Sequence, residues 1–234
     1  MVNTFHPSTI PSYIPKLLTA LPTTMIILLL SLAISLIFGV LIAVAALNKR
    51  KALNVFAHGY IAFMRGIPTL VLILMLYLGL PQIVSSLGGD MSGVNKLVYI
   101  IACMSLTTTA NMAEMMRSAY LAVDKGQREA AYSVGMTGVT ALRRIVFPQA
   151  LGIAIPTLGN NIIILFKETS LAFTIGVLDF LGRARTLSAA SYGANRLEVY
   201  IAAGLIFWFF CFSFEKITKL IEKAYTKGRK KAAS

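Results

Sequence analysis

Residues Leu17 to Asn48 read LLTALPTTMIILLLSLAISLIFGVLIAVAALN, 32 residues without an Asp, Glu, Lys or Arg. About 20 consecutive apolar residues carry a helix across the ~30 Å hydrocarbon core of a bilayer. The run therefore holds one span, tilted or protruding, placed at 21–47, and Asn48-Lys49-Arg50-Lys51 stops it. The whole chain agrees with this stretch. Of its 234 residues 57% are hydrophobic and 13% charged, where a soluble domain carries about 25% charged residues. That length allows about five spans and one domain, residues 1–234.

Working outward, the next charge-free run predicts a second span at 55–80, closed by Pro81, followed by a turn with one acid and no base. A third is expected at 94–123 and contains Thr107, Thr108, Thr109, Asn111, Glu114 and Arg117. A loop at 124–148 separates it from a fourth span at 145–166. LFKETSLAFTIGVLDFLG, residues 165–182, is too short to cross again and reads as a re-entrant or interfacial segment. The fifth span is placed at 199–221, before the basic stretch KLIEKAYTKGRKKAAS. No internal repeat is visible, which disfavours an inverted-repeat carrier within one chain.

The net charge is +13. A nucleic-acid binder would interleave bases and aromatics on a soluble face; here the bases fall between apolar runs, so nucleic acid is excluded as a partner. Lys and Arg gather on the cytoplasmic side of membrane proteins. One side collects Lys49 to Lys51, Lys125, Arg128, Arg143, Arg144 and the seven bases from Lys216 onward, fourteen in all. The other collects six: Lys16, Lys96, Lys167, Arg183, Arg185 and Arg196. The expected topology has the N-terminus outside and the C-terminus and the 124–148 loop in the cytoplasm. MVNTFHPSTIPSYIPK lacks a basic n-region, so the first apolar run reads as a retained helix. Cys103 and Cys211 lie in apolar segments, His6 and His58 are isolated, and no HExxH string or carboxylate cluster accompanies them; neither a metal site nor a catalytic group is expected.

Two readings stand for the loop. GQREAAYSVGM, Gly126 to Met136, is helix-capable from Arg128 to Val134, Gly135 and Gly138 permit a turn, and Pro148 would end the segment. It is either a helical connector on the membrane or a short helix that enters a partner's groove.

Ionisable groups at membrane depth are costly and default to function. In the fourth span Thr157, Asn160, Asn161, Ile164, Lys167 and Glu168 follow helical spacing and predict one polar stripe, with Pro156 freeing the carbonyl of Gly152. Lys167 and Glu168 would serve the carboxylate and ammonium of an amino acid, or pair with each other at the outer mouth. The asparagines either line a pathway or bond between helices. Thr107 and Asn111 are further pathway candidates, and Glu114 with Arg117 forms a structural ion pair or a gate. Arg65 is expected to cap the start of the second span. Arg183, Arg185 and Arg196 would either dock a binding protein or meet lipid phosphates.

EAAYSVG followed by IVFPQAL resembles the EAA loop of ABC importer permeases, on Glu129, Ala130, Ala131, Gly135 and Pro148. With AEMMRSAYLAVDKGQREAAYSVGM, RGIPTL (Arg65 to Leu70) and LFKETSL (Leu165 to Leu171), the chain is similar to the polar amino acid branch of that family over about Tyr13 to Tyr225. Ile67 and Glu168 depart from it, standing where that branch often has Thr and Asp. The resemblance implies an all-α membrane fold of the type I importer kind, with about five transmembrane helices and a cytoplasmic coupling helix. It implies a non-catalytic subunit in a bacterial inner membrane, importing polar amino acids. Arg128, Glu129, Ala130, Ala131, Gly135, Met136 and Pro148 would couple it to a dimer of ATPase subunits. ATP and Mg would be bound there; this chain has no GxxxxGK[ST] string and binds no cofactor itself. An extracytoplasmic amino acid-binding protein, membrane lipid and a second permease subunit are the other implied partners. The second subunit is a copy of this chain, which symmetry favours, or a homologous one. The rival reading is a secondary carrier or channel subunit for small polar solutes. A membrane-embedded enzyme would need a carboxylate cluster or an activated nucleophile, and nine scattered acids provide neither.

Overall fold

The structure, a computed structural model, describes residues 5–232, with side chains to residue 225. The expected positions of the two termini lie outside the described residues. Regular structure among them is entirely helical. α1 (Ile10–Leu18) leads into α2 (Leu21–Ala46), and α3 (Lys51–Gly66) begins at the last residue of the basic tetrapeptide. α4 (Thr69–Leu74), a π-turn (Met75–Gly79) and α5 (Leu80–Ser86) run on as one apolar stretch. α6 (Lys96–Leu121), α7 (Lys125–Ser133) and α8 (Gly138–Ala141) come next. A second π-turn (Leu142–Val146) joins α8 to α9 (Phe147–Glu168), which ends in a 3-10 turn (Thr169–Ile175). α10 (Phe180–Ala190) and α11 (Arg196–Ala232) complete the chain.

Two elements depart from the sequence-based expectation, both at prolines. The helix expected over 55–80 is broken at Ile67-Pro68, where Pro68 has ψ 131° and starts α4. A residue before proline is pushed out of the α region, so α3 stops short. Pro81 does not close that stretch, and Pro148 does not end the loop segment: helix continues through both, over Thr69–Ser86 and Gly138–Ile175. Each lies two residues past a π-turn. In the second, the amide of Phe147 reaches back five residues to the carbonyl of Leu142. The wider turn absorbs the missing amide hydrogen that would break an α-helix.

Four stretches are long and apolar enough to cross a membrane: Leu21–Ala46, Thr69–Ser86, Gly138–Ile175 and Arg196–Tyr225. α6 has the length but not the apolarity. Its Thr107, Thr108 and Thr109 are buried against protein, where such groups are tolerated, while Asn111, Glu114 and Ser118 border a cavity.

The residues divide into two compact units, with boundaries inside α2, α6, α9 and α11. The first takes the described residues up to Ile34, Ile67–Thr107 and Ile164–Ser213. Its core is aromatic: Phe166 and Phe180 are fully buried and each meets Phe207 and Phe210 at ring-centroid distances of 5.3–6.2 Å. The Glu198 carboxylate accepts from the His6 amide at 2.8 Å, and Ser31 of α2 donates to the Ile101 carbonyl of α6 at 3.4 Å.

The second unit takes Ser35–Gly66, Thr108–Ile163 and the described residues from Phe214 on. Ala43, Ala46, Ala57, Ile61 and Ala113 form its core. Small residues let helices approach closely where lipid offers no hydrophobic drive. A Cβ on Gly39 would fall 2.9 Å from the Cβ of Met112, and one on Gly159 would fall 2.7 Å from the Cβ of Thr218. Gly39→Leu should therefore cost ~1–3 kcal/mol through overpacking and lower the thermal midpoint of the detergent-solubilised chain. Gly59→Ala, at a helical glycine with nothing within 4 Å, should raise or preserve it.

Candidate functional site

The 124–148 loop is built from two short helices and the turn between them. Asp124 caps α7, its side chain accepting from the Gly126 amide at 2.6 Å. At the other end Gly135 has φ +80°, its amide bonds the Tyr132 carbonyl at 2.9 Å, and the Met136 amide bonds Ala131 at 3.0 Å. This is a Schellman closure, with glycine at the left-handed position that side chains disfavour. Thr137 then caps α8 through the Thr140 amide. The turn between the helices is thus bonded rather than slack.

Three contacts hold the loop to the rest of its unit. The Arg128 guanidinium donates to the Tyr120 hydroxyl at 2.9 Å and lies 5.4 Å from that ring's centroid. Gln149 donates to Gln127 at 3.1 Å, and the Tyr225 hydroxyl of α11 donates to the Pro148 carbonyl. Ala131 is buried, whereas Glu129 and Ala130 are exposed. The turn leaves Val134 73% and Val139 77% exposed, and Tyr132, Leu142 and Phe147 are also exposed. Apolar side chains displayed on a bonded scaffold suit a protein partner.

The same unit holds a cavity of about 310 Å³ whose lining mixes apolar residues such as Met115 and Ile153 with Arg65, Asn111, Glu114, Ser118, Thr157 and Asn161. Glu114 accepts twice from Arg117, at 2.9 Å from Nε and 2.7 Å from Nη2, and once from Ser118 at 3.2 Å. A two-point pair of this kind is oriented as well as charge-matched. Asn161 reaches the Met115 sulfur at 3.9 Å. Asn160 instead lines a separate cavity of about 390 Å³ with Pro156, Gly159, Glu215, Thr218 and Lys219. The expected single stripe on α9 thus splits between two cavities, because adjacent residues stand about 100° apart on a helix.

Within the first unit, Thr107 is buried and bonds the carbonyls of Cys103 and Met104 at 3.2 Å on its own helix. Lys167 and Glu168 form no ion pair; as neighbours in sequence they face different ways. Glu168 accepts from the Thr69 hydroxyl at 3.2 Å, while Lys167 is exposed. Arg183 donates to the Lys16 carbonyl at 3.4 Å, Arg185 sits 5.9 Å from the Phe173 ring centroid, and Arg196 borders a cavity of about 580 Å³ with Phe5, Tyr192 and Glu198. These arginines are held by different neighbours rather than gathered in one patch. Sequence reasoning missed Thr69, Tyr120, Gln127, Ser118 and Tyr225, whose partners are distant in the chain or too ordinary to stand out. Arg65, expected to cap the start of the second span, lies instead in the last turn of α3, because the chain leaves helix at Ile67-Pro68.

A family model described as "Binding-protein-dependent transport system inner membrane component" matches residues 35–227, and the chain belongs to that family. It is similar to the L-cystine transport system permease protein TcyL of Bacillus subtilis, 38% identical over 193 residues, 82% of this chain and 80% of that protein. It is also similar to the probable amino-acid permease protein YxeN of the same organism, 40% identical over 191 residues, 82% and 83% of the two chains. A solved amino acid ABC transporter with histidines superposes with a TM-score of 0.84 at 29% identity, covering 94% of this chain and 99% of that one. The MetNI methionine ABC transporter, in an inward-facing form, shares the fold with a TM-score of 0.65 at 18% identity. The protein is a multi-pass, all-α membrane permease subunit and is not itself the ATPase.

Gly135→Ala puts a Cβ at the left-handed residue of the closure, at a local cost of about 1 kcal/mol. Hydrogen exchange should show the amides of Gly135's replacement and Met136 losing about fivefold protection, with α9 unchanged.

Proposed function

We propose that this chain is the membrane-spanning subunit of an ATP-driven, binding-protein-dependent importer of polar amino acids. The observation that carries the coupling step is the bonded turn between α7 and α8, which displays Val134 and Val139 beside the exposed Glu129 and Ala130. In this reading α7 enters a cleft of the ATPase subunit, with Arg128, Glu129, Ala130, Ala131, Gly135 and Met136 at the contact. Closure of the ATPase dimer on ATP pushes the loop, and Pro148 passes the movement into α9 and, through Tyr225, into α11. The names of the relatives, an L-cystine permease and amino-acid permeases, support an amino acid as substrate.

Five crossings follow if α6 joins the four apolar stretches, with the N-terminus outside, the C-terminus in the cytoplasm and α3 at the inner side. Asn111, Thr157 and Asn161 border the pathway, with Glu114 and Arg117 as an ion pair that holds its inner end. Asn160 acts from the second cavity. Lys167 and Glu168 serve the outer part separately, and Thr107 braces α6. Arg183, Arg185 and Arg196 face the binding protein one at a time. A second copy of this chain completes the membrane unit.

Gly135→Arg, or Val134→Asp with Val139→Asp, should remove the ATPase from the purified complex and cut ATP-dependent uptake in proteoliposomes more than about tenfold, a loss of ~1.4 kcal/mol or more. The chain itself should still extract as a monodisperse species. Uptake that persists without ATP and follows an ion gradient would replace this reading with a secondary carrier. In the same assay with L-cystine and other polar amino acids, Lys167→Ala and Glu168→Gln should each lower uptake while leaving ATPase assembly intact; normal transport by both would remove them from the pathway.

A further inference from the structure

Within the second unit, α2 and α3 form a hairpin. Ala43 and Ala46 of α2 share a core with Ala57 and Ile61 of α3, and the Asn54 side chain donates to the Ala46 carbonyl at 2.6 Å. The chain reverses over residues 47–50, directly after α2 stops. Asparagines hold this turn. Asn48 accepts from the Arg50 amide at 2.9 Å, and Asn54 ties the first turn of α3 to the last residue of α2. Lys49, Arg50 and Lys51 lie beside them, all exposed. Among the described residues the ion pairs are Glu114–Arg117 and Glu215–Lys219, so these three charges have no acid partner there.

The surface next to the turn is apolar on both helices. α2 is long and apolar enough to cross a membrane, and Leu41 and Val44 near its end are 58% and 59% exposed. On α3, Val55, Phe56 and Phe63 are 60%, 64% and 55% exposed. At 100° per residue these three fall within about 100° of arc, on the side away from Ala57 and Ile61. Lys51 stands one helical turn before Val55. The three bases therefore sit where the exposed apolar surface of two adjacent helices ends.

We propose that the turn between α2 and α3 is a binding site for anionic lipid headgroups, with Lys49, Arg50 and Lys51 on the phosphates and the acyl chains against Val55 and Phe56. The argument for a bilayer as occupant is positional. Because α3 turns back along α2, the turn stays at the end of the span and does not run on into solvent. Three charges that the fold itself does not use meet the headgroup layer there, and their long stems reach it from the apolar boundary. The inference rests on the reading of α2 as a span, and not on which side of the membrane the turn emerges.

The test uses fluorescence quenching by lipids brominated on their acyl chains. The full chain carries one tryptophan, so Trp208→Phe with Phe56→Trp places a single fluorophore on the exposed face beside the turn. This chain is reconstituted in vesicles of phosphatidylcholine with phosphatidylglycerol equally in both leaflets, so orientation has no effect. Brominated phosphatidylglycerol should quench about threefold more than the same amount of brominated phosphatidylcholine, and the excess should shrink at high salt. Lys49→Gln, Arg50→Gln and Lys51→Gln together should remove the excess, while Lys49→Arg with Lys51→Arg should keep it. If both lipids quench equally, or the Gln chain keeps the excess, the headgroup site is wrong although the span stands. If neither lipid quenches, that face does not meet acyl chains, and the inference falls together with the span reading. Quenching in the isolated chain that disappears for both lipids in the complex with its ATPase subunit would assign the turn to that protein and overturn the proposal.

Discussion

A chain buried in hydrocarbon must satisfy its backbone hydrogen bonds within itself, and the shape of this fold follows from how it does so at proline. Pro68 is placed where the chain leaves helix altogether. Pro81 and Pro148 are carried through helix by a π-turn just upstream. Pro156 stays inside α9 and leaves the Gly152 carbonyl without its helical partner, next to a helix face that borders a cavity. Had Pro148 ended its helix, the loop would be attached to the membrane part by a hinge. Because helix continues from Gly138 through Pro148, the second helix of the loop joins α9 without such a hinge.

Polar side chains obey the same rule at lower cost. The hydroxyls of Thr24, Thr107 and Thr169 turn back to carbonyls of their own helix, so they cost little in an apolar setting. Groups that could not be satisfied locally were given a specific distant partner: Glu168 with Thr69, Glu198 with His6, and Arg128 with Tyr120. Asn111, Thr157 and Asn161 border one cavity beside Arg65 and Glu114, and Asn160 borders the other beside Glu215 and Lys219.

Much of this was legible in the sequence, and the limits are physical. The extent of α2 could be read from its charge-free run, because absence of charge is what a span requires, whereas α11 runs past the expected 199–221 to Ala232. The break at Pro68 and the passage through Pro81 could not, since the same residue ends a helix or is tolerated in it depending on the turn before it. The turn at Gly135 is local chemistry and shows in the string; the cap at Asp124 is local too, but the sequence reading passed over it. The Lys167–Glu168 pairing failed for a local reason too: adjacent helical residues diverge by about 100°. The ties Gln127–Gln149 and Tyr225–Pro148 join positions 22 and 77 residues apart, and no local pattern marks them.

Those last ties limit how the loop can move within its unit. A loop that held its partner firmly but met its own unit through one flexible strand would dissipate a push as local bending. Here the Schellman turn fixes α7 against α8, the π-turn makes α8 continuous with α9, and Tyr225 fastens α11 to the carbonyl of the same Pro148 that the π-turn accommodates. Thr218 closes on Gly159 further along the same two helices, where no side chain on residue 159 would fit. α9 and α11 are therefore joined at two levels, and a displacement of the loop must move both or break one of these contacts. The residues that look least functional in the sequence, a tyrosine, a threonine and a glycine, are the ones that join the two helices.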